Sequence, residues 1–518
     1  MSGYGCVVLH KLMHRLSSWG ESQVDHSTAA DTGIRAGKSR RYHRFPLLLA
    51  VVLVSVSPAM CSCFSIFENG VRASGMGGAF VAIANDGSAI FYNPAGIAFQ
   101  NGMRLEMDGL AVVGLFRYQP SSTPPGTIVP DKGYNLNVKP KLIPVMNLYF
   151  SQTITPKLTF GFGIFAPFGL SANATSFKDS DPTNTKYVGR YAGSRADLQS
   201  IWFQPTAAYR LTPNSAFAVG VAWVHTHLHI ERSIINPYDD GIVFGQNLAS
   251  TIFPGLDPNE AARSIARLLP EGRSRLAGTS NSPGFNAGYL WKNPNTKTGV
   301  GLMWRSAVTH HLSGTGSFAF TSPYPLEPFI GKDTIPNLFP TGPIKGTFTT
   351  PATYSAGISN AAFLKSTITL QFDFQDYQRF HSVPVNFALT DGTALPKELL
   401  IPFSFGNSYI VRAGFERNIG EKTSFRAGYF FDHTPVHDSS VSALFPDSSR
   451  NNITFGFSHI IGNAEFAFFY QAMWMADRVT NVPANNNIFT NGEYSNFVHL
   501  FGLGMRMHLG APGNPFDR

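Results

Sequence analysis

Three groups of side chains in this sequence have spacing that chemistry could use. His225, His227 and His229 alternate with Thr226 and Leu228. In an extended strand residues two apart share a face, so the three imidazoles would line up as metal ligands do. The adjacent pair His310 and His311 would point to opposite faces and so would not chelate one ion. No second cluster completes a site around the trio, and no metal or cofactor is expected. The second group is Asp373, Arg412, Glu416, Arg426 and Glu465, charges set between aromatic and aliphatic neighbours. The third is Gly75, Gly77 and Gly78 around Met76, which lacks both the Gly-x-Gly-x-x-Gly spacing and the Lys-Ser/Thr of a phosphate loop. Neither Gly-x-Ser-x-Gly nor His-Glu-x-x-His occurs, so an enzyme is not expected. Cys6, Cys61 and Cys63 all precede the main body of the chain, which therefore has no disulfide or thiolate chemistry.

The elements that hold these groups follow from composition and periodicity. Charged residues make up 14% of the 518, whereas a soluble protein has about a quarter. Yet no segment after residue 63 supplies the ~20 consecutive apolar residues of a membrane helix. Few charges with 44 Phe, 18 Tyr and 49 Gly point to strands whose alternate residues face lipid. In Ser366–Tyr377, Ile368, Leu370, Phe372 and Phe374 lie opposite Thr369, Gln371 and Asp373. In Ser408–Arg417, Val411 and Phe415 oppose Arg412 and Glu416. In Ser424–Asp432, Phe425, Tyr429 and Phe431 oppose Arg426 and Gly428, and in Ala464–Gln471, Phe466 and Phe468 oppose Glu465. One face is wet and the other greasy.

Alternation alone leaves a soluble β-sandwich open, since its strands have the same two faces. The connections argue for a barrel. Short turns at 155–157, 212–215, 293–295, 418–421 and 462–463 alternate with long loops near 117–140, 168–196, 231–283, 313–348, 379–406, 433–450 and 477–495. Short turns at one end and long loops at the other are the outer-membrane arrangement. Seven long loops imply about fourteen antiparallel strands with both termini in the periplasm. The expected fold is an all-β transmembrane antiparallel barrel.

Arg40, Arg41 and Arg44 flank the apolar run from Phe45 to Val56, with Ser57 and Ala59 placed for cleavage after Ala59. Residues 1–63 therefore read as leader and signal peptide. The net charge of +8 owes part of its size to this basic leader, and no Lys/Arg stripe remains for nucleic acid. Residues 103–509 carry the strand pattern, and residues 510–518 trail as a tail.

The loop at 231–283 contains a helix signal. Asp257-Pro258-Asn259-Glu260 supplies an N-cap, a first-turn proline and a capping-box glutamate. Ala261, Ile265, Leu268 and Leu269 then form an apolar stripe, with Arg263 and Arg267 on the polar side. One reading is a helix packed on its own loop. The other is an outward-facing greasy surface that catches a hydrophobic ligand, with arginine available for a carboxylate.

Residues 64–102 do not read as a strand. The run Gly70-Val-Arg-Ala-Ser-Gly75-Met-Gly77-Gly78, the turn Asn85-Asp86-Gly87 and the triplet Asn93-Pro94-Ala95 resemble the N-terminal plug of the FadL/TodX family of outer-membrane transporters. Gly189-Arg190-Tyr191, Gln204-Pro205 through Arg210, Asp373–Tyr377, Arg426-Ala427-Gly428-Tyr429, Asp447 and Arg450 are similar to further family segments, so the resemblance spans about 64–509. It implies a fourteen-stranded barrel with residues 64–102 as a plug, or hatch, inside the lumen. It also implies lateral release of ligand near a kinked third strand beside the Asn-Pro-Ala region. Here that strand would be Lys157–Gly169, where Gly161, Gly163 and Pro167 would supply the kink; Pro167 would otherwise simply end the strand.

The resemblance implies passive uptake of long-chain fatty acids or similar hydrophobic molecules across the outer membrane of a Gram-negative bacterium. Loop capture, plug gating and lateral release would follow in turn. A monomer surrounded by outer-membrane lipid is expected. The lumen charges would pair with one another and hold the barrel's shape. A barrel subunit of a protein-secretion system, sharing the same plug motifs, is the alternative, and an open diffusion porin would need no plug.

Overall fold

Alternation becomes architecture when each strand finds two neighbours. A computed structural model of the chain describes residues 64–120, 136–137, 143–173, 188–191, 193–235, 245–246, 257–363, 366–388, 397–442, 445–481 and 490–509. The expected leader, cleavage site and C-terminal tail lie outside these residues. Among the described residues the strands join into a closed antiparallel barrel of fourteen strands, as expected. The first is β1 (Met103–Pro120). It pairs on one side with β2 (Ile143–Thr155) and on the other with the last, β14 (Gly492–Leu509), in continuous register from Met103↔Leu509 to Pro120↔Gly492. Closure leaves no free edge between first and last strands, as lipid requires.

Between these run β3 (Leu158–Asn173), β4 (Arg195–Thr212), β5 (Ser215–Ile234) and β6 (Gly272–Asn293). The next four are interrupted. β7 is Thr298–Arg305 with Val308–Phe320, and β8 is Gly342–Thr350 with Thr353–Phe363. β9 is Ser366–Gln375 with Ser382–Phe387, and β10 is Glu398–Pro402 with Ser408–Ile419. β11 (Thr423–Asp432), β12 (Arg450–Ile461) and β13 (Ala464–Met475 with Arg478–Thr480) complete the wall.

The barrel wears its hydrophobic residues outside. Leu370 and Phe372 are exposed while Gln371 and Asp373, which alternate with them, are buried. The same holds for Val411 against Arg412 and Phe425 against Arg426. This inversion of a soluble core places the greasy stripe against lipid and the polar stripe in the lumen.

Several strands run further than their alternation shows. The loop expected over 231–283 gives up Gly272–Pro283 to β6, and the one over 313–348 gives up residues to β7 and β8. The outward positions Arg275, Thr279 and Asn281 of β6 are exposed and polar, and Ser274, Ser280 and Ser282 on the inward side are polar too. Beyond the lipid band both faces are polar, so the period-2 signal disappears although the ladder continues.

Candidate functional site

Residues 64–102 form short turns rather than strands: α1 (Val71–Gly75), α2 (Ala89–Tyr92) and a 3-10 turn over Pro94–Phe99. Nearly all of this segment is buried, and it touches strands on several sides of the barrel. Its glycines permit close approach. Gly77 and Gly78 hold φ of +66° and +70°, a region that costs other residues energy. A Cβ on Gly77 would stand 3.2 Å from the Tyr429 backbone nitrogen, and one on Gly75 would stand 3.1 Å from Gly456 Cα. The Gly-Met-Gly-Gly run therefore lies directly on β11 and β12.

The lumen charges meet this segment. Arg72 donates to Glu416 through Nε at 2.8 Å and Nη2 at 2.7 Å, and to Asn85 Oδ1 at 2.6 Å. Glu416 also accepts from Arg426 Nε at 2.5 Å, and Arg426 lies 3.3 Å from Glu465. Glu465 is shared with Arg506, whose other nitrogen is 3.3 Å from Asp86. Arg412 pairs with Asp373 at 2.6 Å and donates to the Gly77 carbonyl at 2.9 Å. The five charges expected to pair do so, and Arg72, Asp86 and Arg506 extend the network into the N-terminal segment. Charges this buried persist only because each is neutralised and hydrogen-bonded.

Asn93-Pro94-Ala95 contacts the opposite wall. The Asn93 amide donates to Val81 O at 2.8 Å and to Tyr289 O on β6 at 3.0 Å, while its Oδ1 accepts from Ala95 N at 3.2 Å. A side chain at Gly288 would fall 2.2 Å from Asn93 Oδ1. The triplet is therefore anchored on β6, while Phe91 just before it packs on Phe165 of the third strand at 5.4 Å.

The third strand does bend. β3 pairs with β4 in register until Phe165↔Trp202, then shifts and resumes at Phe168↔Ser200. The bulge contains Ala166 and Pro167, where proline has no N–H for the ladder. Pro167 does not end the strand, which runs to Asn173. Gly161 and Gly163 are not its cause, since both are paired in regular register on either side. Their missing side chains instead admit the N-terminal segment: a Cβ at Gly161 would meet Ile97 Cδ1 at 2.8 Å, and one at Gly163 would meet Ile90 Cγ2 at 3.0 Å.

At this bulge the wall parts. The β2–β3 pairing ends at Leu148↔Ile164 among the described residues, although β2 follows β1 to Ile143. The freed edge of β3 is taken by the start of the N-terminal segment. Ile66 N donates to Pro167 O at 2.8 Å, and Gly169 N donates to Phe64 O at 2.9 Å. Ser65 forms an antiparallel bridge with Phe168. Unpaired backbone at the lipid boundary is costly, and these bonds satisfy it.

A cavity of about 640 Å³ lies behind the parting. Leu110 and Val112 of β1, Leu198 of β4, and Val498 and Leu500 of β14 supply inward apolar side chains. Phe64 and Ile66 form part of its boundary, and Met146 and Ile164, from the outward faces of β2 and β3, line it as well. The cavity therefore runs from the lumen to the outer surface through the unpaired interval. Sequence reasoning missed these residues. They look like ordinary strand positions, and only the inward parity of apolar residues on β1 and β14 marks them. Glu68, Asp197, Asp447 and Arg450 are its charged neighbours. Asp447, in the loop between β11 and β12, is pushed up to about 7 by burial, with Arg450 opposing.

The loop helix forms as α3 (Pro258–Ala266), but its stripe is covered. Ile265 is fully buried, and Leu269 nearly so, in a cluster with Ile234, Tyr324, Leu326 and Ile335. Leu268 is partly buried against the same cluster, and Arg267 is exposed. The Arg263 side chain lies outside the described residues. Of the two readings open for this helix, its stripe is packed rather than turned outward, and its partners come from the 321–341 loop, which the pattern of one helix does not reveal. Phe329 of that loop is exposed, at 82%.

Arg190 of the Gly-Arg-Tyr segment binds Glu271 through two nitrogens at 2.7 and 2.8 Å, with Ser233 donating at 2.8 Å. Burial works to raise the Glu271 pKa, but the Arg190 hydrogen bond and charge bring it below the usual carboxylate value. The three β5 histidines share the outward face, yet each of two has its own partner: His225 meets Asn281 at 2.9 Å and His229 meets Glu231 at 3.0 Å. His310 is buried against Phe348 while His311 is exposed, so the pair does point to opposite faces.

Residues 52–507 match the model of a family described as outer membrane protein transport protein (OMPP1/FadL/TodX). Outer membrane protein P1 of Haemophilus influenzae is 23% identical over 429 residues, covering 79% of this chain and 85% of that protein. The long-chain fatty acid transport protein of Escherichia coli O157:H7 is 23% identical over 422 residues, covering 78% and 85%. Among solved structures, a Pseudomonas aeruginosa FadL homologue superposes with a TM-score of 0.68 at 15% identity, covering 87% of this chain and 100% of that one. The Pseudomonas putida toluene transporter TodX gives 0.62 at 14% identity, covering 86% and 100%.

Proposed function

The chain belongs to the OMPP1/FadL/TodX family of outer membrane transport proteins, and from that premise we propose that it takes up long-chain fatty acids or hydrocarbons through the cavity behind the β2–β3 parting. It is an outer-membrane β-barrel of a Gram-negative bacterium, and its family consists of transport channels rather than enzymes. One observation carries the finer reading: the 640 Å³ cavity is lined both by lumen residues and by the outward-facing Met146 and Ile164.

The steps follow from the packing. A hydrophobic ligand first meets exposed loop surface, where Phe329 offers an apolar contact. It then gains about 0.8 kcal/mol for each CH₂ it buries in the cavity. Residues 64–102 act as a plug, held by the Arg72–Glu416 pair and the Arg412 bond to the Gly77 carbonyl on one wall and by Asn93 on the other. Withdrawal of Phe64–Ile66 from the edge of β3 opens the interval between β2 and β3. The ligand leaves sideways into lipid and never enters water, which is the unfavourable phase for it. Gly75, Gly77, Gly78, Asn93, Pro94 and Ala95 keep the rest of the plug seated while that edge moves.

The test is saturable binding of labelled palmitate and labelled toluene to the purified barrel in detergent. Leu110→Trp and Val498→Trp fill the cavity, so binding of whichever ligand is accepted is expected to fall in both. If neither ligand binds the wild type, or if filling leaves binding unchanged, the cavity is not the path.

A further inference from the structure

We propose that the cavity selects uncharged hydrophobic molecules over fatty carboxylates; this rests on the transport reading and narrows its substrate class. A carboxylate leaving water needs a cation or several hydrogen-bond donors that are free to receive it. The described cavity wall presents the acids Glu68, Asp197 and Asp447 against one arginine, Arg450, while His227 and Gln199, paired across β4 and β5, stand on its exposed outward side.

That arginine is committed. Its Nε lies 3.4 Å from Asp432 and its Nη2 lies 3.7 Å from Asp447, while Nη1 meets Met473 Sδ at 3.6 Å. Arg478 nearby donates to Asp438 at 2.5 Å and to the Asp447 carbonyl at 2.7 Å. Arg195 is held by Asp197 at 2.6 Å. Arg305 stands behind Phe165, with the Phe91 ring 4.0 Å from its guanidinium carbon and the Phe91 carbonyl 2.5 Å from its Nη2. Among the described residues Glu68 accepts from neutral donors, Gln471 at 2.9 Å and the Phe67 amide at 3.1 Å. An incoming carboxylate would face acids whose cations are already shared. A hydrocarbon makes no such demand, and a hydroxyl can donate to Glu68.

The experiment compares ligands that differ only in the head group. The full-length barrel in detergent is loaded with diphenylhexatriene, a neutral fluorescent probe, at pH 8. 1-Hexadecanol and palmitate, equal in chain length, then compete for it. Hexadecanol is expected to displace the probe at a concentration lower by about ten-fold or more, the scale of one unfavourable charge contact. Glu68→Gln and, separately, Asp447→Asn are expected to improve palmitate relative to hexadecanol, with heat-modifiable mobility confirming that each variant is folded. Palmitate competing as well as hexadecanol overturns the selectivity while leaving transport standing. Failure of both ligands, with probe uptake unaltered by Leu110→Trp, overturns the transport reading and this one with it.

Discussion

Arg72 and Glu416 stand 344 residues apart in the chain and face each other in a two-pronged hydrogen bond, Nε at 2.8 Å and Nη2 at 2.7 Å. The planar guanidinium matches the carboxylate fork, a geometry lysine does not reproduce. Through this one contact the first turn of the N-terminal segment is tied to β10. Through Arg426, Glu465 and Arg506 it is tied to β11, β13 and β14.

Arg72→Met removes the cation that Glu416 and Asp86 share and leaves both acids under-compensated. Breaking such a buried pair costs about 3–5 kcal/mol. The fourteen-strand closure does not depend on it. The expected result is a barrel that remains heat-modifiable but whose residues 64–102 become open to protease. Unchanged protease resistance would show that the network does not hold the segment.

Ser65 and Phe168 are bridge partners across the freed edge of β3. With Cys61 and Cys63 replaced by serine, a Ser65→Cys/Phe168→Cys disulfide is expected to lock the interval shut. Uptake by cells should fall and return on reduction, while ligand binding to the purified protein persists. Uptake that survives the cross-link would move the exit elsewhere.

Asp447 carries a pH signature. Burial raises it to about 7 against the pull of Arg450, the Thr434 hydroxyl and Arg478, with Asp432 pushing the same way as burial. From about pH 4, the ordinary value, up to 7, the folded protein holds a proton that the unfolded chain has released. Its contribution to stability is therefore complete below that window and is lost as pH rises through it. Asp447→Asn is expected to flatten this part of the stability profile, read as unfolding temperature against pH. An unaltered slope would assign the effect to another group.

Ile265→Asp places a charge in the cluster formed with Tyr324 and Ile335. Loss of the apolar contact and burial of an unpaired acid together cost on the order of 3–5 kcal/mol. Limited proteolysis should cut within 257–271 and 321–341 at lower protease concentration, with strand positions untouched. Equal resistance would mean that α3 is held by something other than its stripe.

The sequence by itself determined the barrel, the strand parity, the alternation of short turns and long loops, and the facing of the lumen charges. Each follows from a local rule: side chains alternate in a strand, lipid accepts only apolar ones, and charges buried in a lumen need partners of opposite sign. The expectation that Asp373, Arg412, Glu416, Arg426 and Glu465 pair needed no more than that. Tertiary structure decided what depends on segments far apart in the chain. Gly161 and Gly163 look like kink residues until Ile90 and Ile97 are seen against them. The stripe of α3 looks open until the 321–341 loop covers it. The parting of β2 from β3, its closure by Phe64–Ile66, and the cavity between Leu110, Leu198 and Val498 arise from strands distant in sequence. A pattern within one strand carries no record of which strand lies beside it, of where their hydrogen bonds stop, or of which other segment satisfies the backbone that is left.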